Sequence, residues 1–292
     1  MSKLAILGPS KNKIGYSTKR LIEEGKKVFK GCKLVPLIDV QLKIEKGLDV
    51  IYDGEKLAKF DYILPRIDSS RAEIGYPIIR FLDDIDIKKP YPAESILIAH
   101  NKFLSLEEFA KKGVPVPKTL LISSKNVAKN ILKKQKYPIV IKLLSSFGGQ
   151  GVVVTKNKET AQNIIETMKT MKQEILIEEF IENPGEDIRG IVAGDDIIAS
   201  FKRVAKPGES RANVKVGGKA VPFKLTEQME DIVFRCAEAL KSKVCAVDLI
   251  DGKKGLYVIE ANLNPGIEGM EKATNLNVAG RIIEFCKNDM KK

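Results

Sequence analysis

The segment Cys245-Ala-Val-Asp-Leu-Ile-Asp-Gly-Lys-Lys-Gly-Leu-Tyr-Val-Ile-Glu-Ala-Asn-Leu-Asn-Pro-Gly266 has two short apolar runs on either side of a turn signal. This pattern predicts a β-hairpin. If its strands pair symmetrically about Lys254, Asp248 lies opposite Glu260. Side chains alternate along a strand, so Asn262 shares a face with Glu260. The segment therefore predicts three oxygen donors together on one face of a sheet.

Two carboxylates directly opposite each other repel, and a divalent cation that prefers oxygen ligands would remove that repulsion. Magnesium favours a few carboxylates and completes its coordination with substrate phosphates. Taken alone, the hairpin fits a sheet edge with solvated acids better than a metal site, and the rest of the chain has to support the metal. If the metal site is real, Asp248→Asn or Glu260→Gln should abolish turnover and leave folding intact, because either change relieves the repulsion.

The bulk composition indicates a globular protein of two or three subdomains, since the chain has 292 residues. No apolar run approaches the roughly 18 residues of a membrane span, and the first residues enter a strand without the features of a signal peptide. The four cysteines have no CxxC spacing, which argues against zinc and a disulfide framework. We expect a cytoplasmic protein without membrane contacts.

The net charge of +12 attracts polyanions or acidic small molecules, although a generally basic protein explains it as well. The chain has no arginine-rich tail, so acidic substrates are favoured over nucleic acid. The single histidine, His100, excludes His–His metal motifs and is expected to be a structural residue beside a helix start.

Alternating apolar strands and helices predict an α/β protein with α+β subdomains. The strands Lys3–Gly8, Lys33–Ile38 and Phe60–Leu64 indicate a small, largely parallel open sheet that ends near Pro90. A helix begins at Ser17 or Thr18 with glutamates in its first turn. Further predicted helices are Ala72–Leu82, Glu94–Lys112 with a break near Asn101, Asn126–Lys134, Glu159–Met171, Thr226–Lys241 and Val278–Asn288. Further strands are Thr119–Ile122, Pro138–Leu143, Val152–Thr155, Ile175–Glu178, Ile188–Val192 and Asp196–Arg203.

The glycine-rich segment Ser145–Gly151 lies between two predicted strands. P-loops and dinucleotide-binding fingerprints need a following helix, so both are excluded. The segment fits a flap whose backbone N–H groups close over phosphates, or a plain bulged hairpin. Lys142 ends the strand that enters it, and a lysine in an apolar strand needs a partner, for which polyphosphate is a candidate. A lysine at a sheet edge is the alternative, and Lys102 could act like Lys142.

Two further polar segments have candidate roles. The run Glu178–Ile181 leads into an acidic turn that could offer backbone groups to adenine and a carboxylate to ribose. Arg203 and Arg211, with Asn213, precede the hairpin, and arginine forks suit phosphate and carboxylate groups. A solvated basic loop remains the alternative for the arginines.

The order of these segments resembles the ATP-grasp superfamily and, within it, the RimK group of α-L-glutamate ligases. The resemblance covers essentially the whole chain, and the set is specific although no single motif is. The segments that carry it are Tyr16–Leu21, Leu64–Ile67, Lys102, Lys142 with the flap, Glu178–Ile181, Asp187–Arg189, Arg211–Asn213 with Gly217-Gly218, Asp248, Glu260–Gly266 and Gly266–Glu271.

The resemblance implies an ATP-grasp fold with an N-terminal open α/β pre-ATP-grasp domain. The pre-ATP-grasp domain would span residues 1–92. A central subdomain with the flap would span 93–180, and a C-terminal subdomain with the metal site 181–292. ATP would lie between the last two.

The resemblance also implies residue roles. Two ions of magnesium or manganese would be held by Asp248, Glu260 and Asn262. Arg203, Arg211 and Asn213 would stabilise the transferring phosphoryl group and an acyl phosphate. The residues implied in nucleotide binding are Lys102 and Lys142 on the phosphates, Gly149 and Gly151 in the flap, Glu178, Glu179, Phe180 and Ile181 around adenine, Asp187 or Glu186 near the ribose, and again Arg211 and Asn213.

The implied reaction is ATP-dependent amide formation between L-glutamate and an acidic acceptor, with an acyl-phosphate intermediate and ADP and phosphate as products. Such catalysis rests on positioning and charge neutralisation and needs no side-chain nucleophile. Family acceptors include a ribosomal protein C-terminal tail and glutamyl-bearing pterin or deazaflavin coenzymes.

Two other functions stay open. One is an ATP-grasp ligase that joins another amino acid to a carrier protein in lysine or arginine biosynthesis, and the other is a basic ribosome- or RNA-binding module. The flap departs from the family's usual Gly-Thr-Gln-Gly type, because Ser146-Phe147-Gly148-Gly149 stands there, which leaves acceptor choice open. The expected partners are L-glutamate and the acceptor, without membrane or direct nucleic-acid contacts. The oligomeric state is left open, with a homo-oligomer as one option.

Overall fold

The structure is a computed structural model that describes residues 2–10, 14–144, 151–183, 185–205 and 218–292. The chain begins with β1 (Lys3–Gly8), α1 (Tyr16–Val28) and β2 (Gly31–Pro36). The helix starts one residue before the predicted Ser17, and its first turn contains no acidic residue, contrary to expectation. Its glutamates, Glu23 and Glu24, come about two turns after the start of the helix.

The predicted parallel sheet is present, with strand order β2-β1-β6, where β6 is Tyr62–Pro65. A small antiparallel sheet precedes β6 in the chain and was not predicted. Its strands carry many charged, exposed residues, which are poor strand signals. They are β3 (Gln41–Ile44), β4 (Leu48–Tyr52) and β5 (Glu55–Lys56).

Three helices, α2 (Ala72–Asp84), α3 (Ala93–Ala99) and α4 (Lys102–Lys111), follow the parallel sheet. The predicted break at Asn101 separates α3 from α4. The Asn101 side-chain oxygen accepts hydrogen bonds from the backbone N–H groups of Phe103 and Leu104, both at 3.1 Å, and so caps α4. This cap makes Lys102 the first residue of α4.

The central part is an antiparallel sheet with strand order β7-β10-β8-β9. Its strands are β7 (Thr119–Ile122), β8 (Ile139–Leu143), β9 (Val152–Thr155) and β10 (Ile175–Glu179), and its helices are α5 (Lys125–Leu132) and α6 (Lys158–Thr170). Because β8 is followed by β9 and pairs with it, the glycine-rich segment joins two strands, as predicted.

The C-terminal part is an antiparallel sheet with strand order β13-β12-β11-β14-β15. The strands are β11 (Glu186–Ala193), β12 (Asp196–Val204), β13 (Lys219–Pro222), β14 (Val244–Gly252) and β15 (Gly255–Asn262), and the helices are α7 (Glu227–Ala239), α8 (Glu268–Thr274) and α9 (Val278–Asp289). The short edge strand β13 and the seven-residue α8 were not predicted. In the described ranges no helix is both long and apolar enough to cross a membrane.

The hairpin β14–β15 pairs Asp248 with Glu260, as predicted, but the register arises differently. Its turn places Gly252 opposite Gly255, and an irregularity beside Asp248 then adds Ile259 to β15. Without that bulge, Glu260 would pair with Val247 and face away from Asp248. The bulge is therefore what puts the two carboxylates on one face.

Three hydrophobic clusters organise the protein. The first includes Ile96 and Phe109 of α3 and α4 together with Val247 and Val258 of the hairpin. The second joins the N-terminal sheet to α9 through residues such as Leu4.

The third cluster contains only residues of the central sheet and its two helices, and their neighbours. Lys142 therefore lies on a sheet with its own core, whereas Lys102 begins a helix that shares a core with the hairpin. The domain boundaries near residues 92 and 180 stay a prediction.

Candidate active site

The central sheet contributes a buried ion pair. The Lys142 Nζ lies 2.6 Å from Oε2 of Glu178, on the neighbouring strand, and Glu178 is only 2% exposed. The expectation that Lys142 needs a partner holds, but here Glu178, rather than a phosphate, is that partner. The Glu178 carboxylate accordingly faces Lys142. Its other oxygen, Oε1, is buried without a hydrogen-bond partner among the described residues.

Lys102 links this pair to the hairpin. It interacts electrostatically with Glu260, Lys142 and Glu178. Burial lowers the pKa of Lys102, while the negative charge of Glu260 works in the opposite direction. Lys102 is thus within electrostatic range of both the other predicted phosphate-binding lysine and one predicted metal ligand, which lie on two different sheets.

The C-terminal sheet contributes a network of two arginines and two aspartates. Arg189 binds Asp248 with two hydrogen bonds of 2.6 Å, from Nε to Oδ1 and from Nη2 to Oδ2. Arg203 donates from Nη2 to Asp248 Oδ2 at 2.9 Å and from Nε to Asp187. Strand register brings these groups together, because Arg189 pairs with Asp248 across β11 and β14, and Asp187 pairs with Arg203 across β11 and β12.

The network holds Asp248 in its charged form. Burial opposes ionisation of this carboxyl, but the positive charges of Arg189 and Arg203 outweigh it and lower the pKa of Asp248 to about 2. Burial has the larger effect on Asp187 and raises its pKa to about 6 against the attraction of Arg203. Asp248 therefore remains an anion at neutral pH.

Arg189 is the site residue that received no role from the sequence. It appeared there only as part of Asp187-Ile188-Arg189. Its signal was the alternation of charged residues in an otherwise apolar strand, with Asp187 and Arg189 on one face of β11. Finding its partner required the strand order, which places β11 beside β14.

The donor set at the hairpin fits a divalent cation. Asp248 accepts three hydrogen bonds from arginines, and a carboxylate has about four lone-pair sites, so one site is left. Glu260 is half-buried and forms no ion pair within the described parts of the chain, and Asn262 lies two residues further along β15. These are oxygen ligands of the kind magnesium takes. Repulsion between Asp248 and Glu260 does not require a cation, contrary to the prediction from the sequence, because two guanidinium groups already neutralise Asp248.

The acidic turn after β10 has its own contacts. The Glu179 carboxylate accepts a hydrogen bond from the Lys118 backbone N–H at 2.9 Å. Phe180 and Ile181 are half-buried, and Ile181 packs against Gly252 of the hairpin turn. Their contact with adenine stays a prediction.

The two candidates for the ribose contact both have protein partners. Glu186 pairs with Lys202 at 2.6 Å, and Asp187 is buried beside Arg203. That one of these two carboxylates contacts the ribose stays a prediction.

Several predicted residues lie outside the described residues: Phe147, Gly149, Arg211, Asn213 and Gly217. Gly151, at the end of the flap, is described. Its φ of +68° is in the left-handed region, and a Cβ there would lie 2.7 Å from Leu143 Cδ1.

Gly151→Ala is expected to lower the free energy of unfolding by about 1–3 kcal/mol, because it combines an unfavourable φ with a close contact to Leu143. Urea denaturation measures this change. Gly47→Ala is the matched control, since a Cβ at Gly47 meets nothing within 4 Å. Equal effects of the two substitutions would contradict the role given to Gly151.

The N-terminal motif segment Tyr16–Leu21 contacts the C-terminal motif segment Gly266–Glu271. The Tyr16 hydroxyl donates to Glu271 Oε2 at 2.8 Å, and Arg20 Nε donates to the same oxygen at 3.2 Å. The Ile267 backbone N–H donates to Ser17 Oγ at 3.1 Å. These residues fasten α1 to the segment that follows the hairpin.

The chain matches two family models. Residues 2–96 match the RimK PreATP-grasp domain, and residues 99–286 match the RimK-like ATP-grasp domain. The chain therefore belongs to the RimK-like ATP-grasp family. The predicted family and fold class are confirmed.

Known proteins resemble the chain over nearly its full length. A protein of Legionella pneumophila (strain Corby) named "Probable alpha-L-glutamate ligase" is 36% identical, with 99% of this chain and 96% of that protein covered. The ATP-grasp ligase PsnB, solved with minimal precursor, Mg and ADP, gives a TM-score of 0.76 at 13% identity, covering 98% of this chain and 97% of PsnB. The Chryseobacterium gregarium RiPP-associated ATP-grasp ligase, in complex with ADP and a leader and core peptide, gives 0.74 at 17% identity and covers 99% of this chain and 97% of its own.

The family confirms the predicted class of enzyme, an ATP-dependent carboxylate–amine ligase. The ATP-grasp fold implies ATP and a divalent metal ion as its cofactors. The next question is which carboxylate and which amine the enzyme joins.

Proposed function

We propose that the protein joins L-glutamate to a carboxylate of an acidic acceptor through an acyl phosphate, releasing ADP and phosphate. The observation that carries the proposal is the convergence of Lys102, Lys142 and Glu260 on one site. The relatives named as probable α-L-glutamate ligases support glutamate as the amine substrate.

The lysines bind the nucleotide in this proposal. Lys142 lies close enough to Lys102 to help lower the pKa of Lys102, after the larger effect of burial, and a polyphosphate bound by both lysines would relieve that repulsion. An ion pair at 4 Å is worth about 4 kcal/mol at an effective dielectric constant of 20. Glu178 keeps Lys142 oriented until ATP arrives, because their pair is buried and short.

The hairpin residues Asp248, Glu260 and Asn262 would hold magnesium or manganese, which neutralises phosphate charge when bound. Arg189 and Arg203 hold the Asp248 carboxylate in place through their hydrogen bonds and ion pairs. Arg203 also brings positive charge to the edge of the site. Arg211 and Asn213 share its proposed role toward the transferring phosphoryl group.

The acceptor carboxylate attacks the γ-phosphate of ATP and becomes an acyl phosphate. The amine of L-glutamate then attacks the acyl carbon, and phosphate leaves. Positioning and charge neutralisation are sufficient for both steps. The net charge of +12 favours an acidic acceptor, and we infer a peptide or protein tail first and a glutamyl-bearing coenzyme second.

The test is ADP release by purified protein with ATP and magnesium. We expect release only when L-glutamate and an acceptor carboxylate are both present, with acidic peptides and glutamyl coenzymes as the acceptors tried. Product mass should increase by one glutamate residue per turnover. ADP release that depends on another amino acid and a carrier protein, or none with any acceptor, would overturn the proposal.

A further inference from the structure

Arg66 occupies a position where open α/β sheets bind ligands. It directly follows β6, whose carboxyl end lies beside that of β1 in the parallel sheet. The chain places β2 on one side of β1 and β6 on the other, so the crevice between β1 and β6 is the topological switch point. Ligands of such sheets bind outside the carboxyl ends of the strands at this point.

The Arg66 guanidinium lacks an acidic partner among the described residues. It donates one hydrogen bond, from Nη2 to the Pro265 carbonyl at 3.1 Å, and its Nε is buried without an acceptor in the described parts of the chain. Burial lowers the pKa of Arg66 to about 10. A half-buried guanidinium in this state is satisfied by an anion with two oxygens in one plane.

Two more buried polar atoms lie nearby without hydrogen-bond partners among the described residues, the Tyr91 hydroxyl and Asn264 Oδ1. Tyr91 interacts electrostatically with Arg66. Asn264 donates from Nδ2 to the carbonyl of Ile67, next to Arg66. Buried polar atoms without partners are rare. Here the Arg66 Nε–H and the Tyr91 hydroxyl can donate to an anion, and Asn264 Oδ1 can accept from an amine.

This crevice adjoins the reaction site. Pro265, the Arg66 partner, is three residues beyond Asn262. The Ile67 carbonyl also lies 3.1 Å from Nε2 of His100, two residues before Lys102. Arg66 thus contacts the segment that follows the proposed metal ligands, and its neighbour Ile67 contacts the segment that precedes Lys102.

We propose that Arg66 binds a non-reacting carboxylate of the amino-acid substrate, with the Tyr91 hydroxyl as a second donor and Asn264 Oδ1 as an acceptor for the amine. The inference rests on the proposed function. A carboxylate could come from L-glutamate or from the acceptor, and the amine-accepting oxygen favours L-glutamate. The N-terminal domain would then select the amino acid.

The experiment compares Arg66→Ala and Arg66→Lys with wild-type protein. We expect the KM for L-glutamate to rise about tenfold to a hundredfold in Arg66→Ala and less in Arg66→Lys, with the KM values for ATP and acceptor unchanged. Calorimetric titration of L-glutamate into protein with ADP and magnesium should show the same loss of affinity without turnover. The control is Arg80→Ala, because Arg80 is an exposed residue of α2 paired only with Asp84 among the described residues.

Any of the following results would overturn the assignment of Arg66 to L-glutamate. A rise in the KM for the acceptor would give Arg66 to the acceptor carboxylate. Unchanged KM values with a lower melting temperature would make Arg66 a structural brace to Pro265. If wild-type protein itself shows no dependence on L-glutamate, the proposed function fails, and the Arg66 assignment fails with it.

Discussion

Asp248→Asn is expected to lower the free energy of unfolding by about 3–5 kcal/mol as well as to abolish ADP formation, whereas Glu260→Gln should abolish ADP formation and leave stability nearly unchanged. The two variants should differ in stability because Asp248 binds Arg189 and Arg203. Asp248 is 2% exposed and neutralises the buried Arg203 and the half-buried Arg189, so its loss leaves two guanidinium groups with one carboxylate, Asp187. Glu260 has no ion pair of this kind among the described residues.

The arginine contacts therefore change the prediction made from the sequence, in which both substitutions leave folding intact. Urea denaturation measures the stability of each variant, and coupled detection of ADP measures turnover. Asp251→Asn, on the same strand but exposed, is the matched control and should change neither quantity. Equal stability of Asp248→Asn and Glu260→Gln would show that the arginine network does not stabilise the fold. Wild-type turnover in either variant would remove the metal assignment.

Lys142→Met is expected to raise the KM for ATP by more than tenfold and to destabilise the fold by about 3–5 kcal/mol. The change in KM and the loss of stability both follow from the position of Lys142. The lysine is a proposed phosphate ligand, and it is also the partner of a buried glutamate at 2.6 Å. Removing one member of a buried pair leaves the charge of the other uncompensated.

A double variant separates the two effects. Glu178→Gln added to Lys142→Met removes the uncompensated charge and should restore most of the stability, but it cannot restore ATP binding. Denaturation and titration with ATP give the two quantities, and Lys134→Met, an exposed lysine, is the control. Recovery of ATP affinity in the double variant would show that Lys142 acts only through Glu178.

Much of the fold could be predicted from local sequence. Apolar runs located β1, β7 and β9 to the residue, and the break at Asn101 followed from one capping side chain. The elements that were missed, such as β3 and β13, are short and exposed or lie at a sheet edge, where neighbouring strands rather than composition determine pairing.

The candidate site was harder to predict because its electrostatics depend on strand order. The sequence placed Asp248 opposite Glu260, but it could not show the Ile259 bulge that produces this pairing. Nor could it show that Arg189 lies beside Asp248, since the two residues are 59 positions apart. A charged residue in an apolar strand indicates that a partner exists, and only the register identifies that partner.

The self-contained core of the central sheet has a consequence for nucleotide affinity. Lys142 lies on a strand of that core, and Lys102 begins a helix of the core that also supports the hairpin. A ligand held by both lysines would therefore bridge two separately packed cores, and part of its binding free energy would be spent on fixing their relative orientation. Substitutions in the chain segments that connect the two cores, far from any phosphate, should then change the apparent affinity for ATP. They would do so by changing the fraction of molecules in which both lysines are placed to bind it.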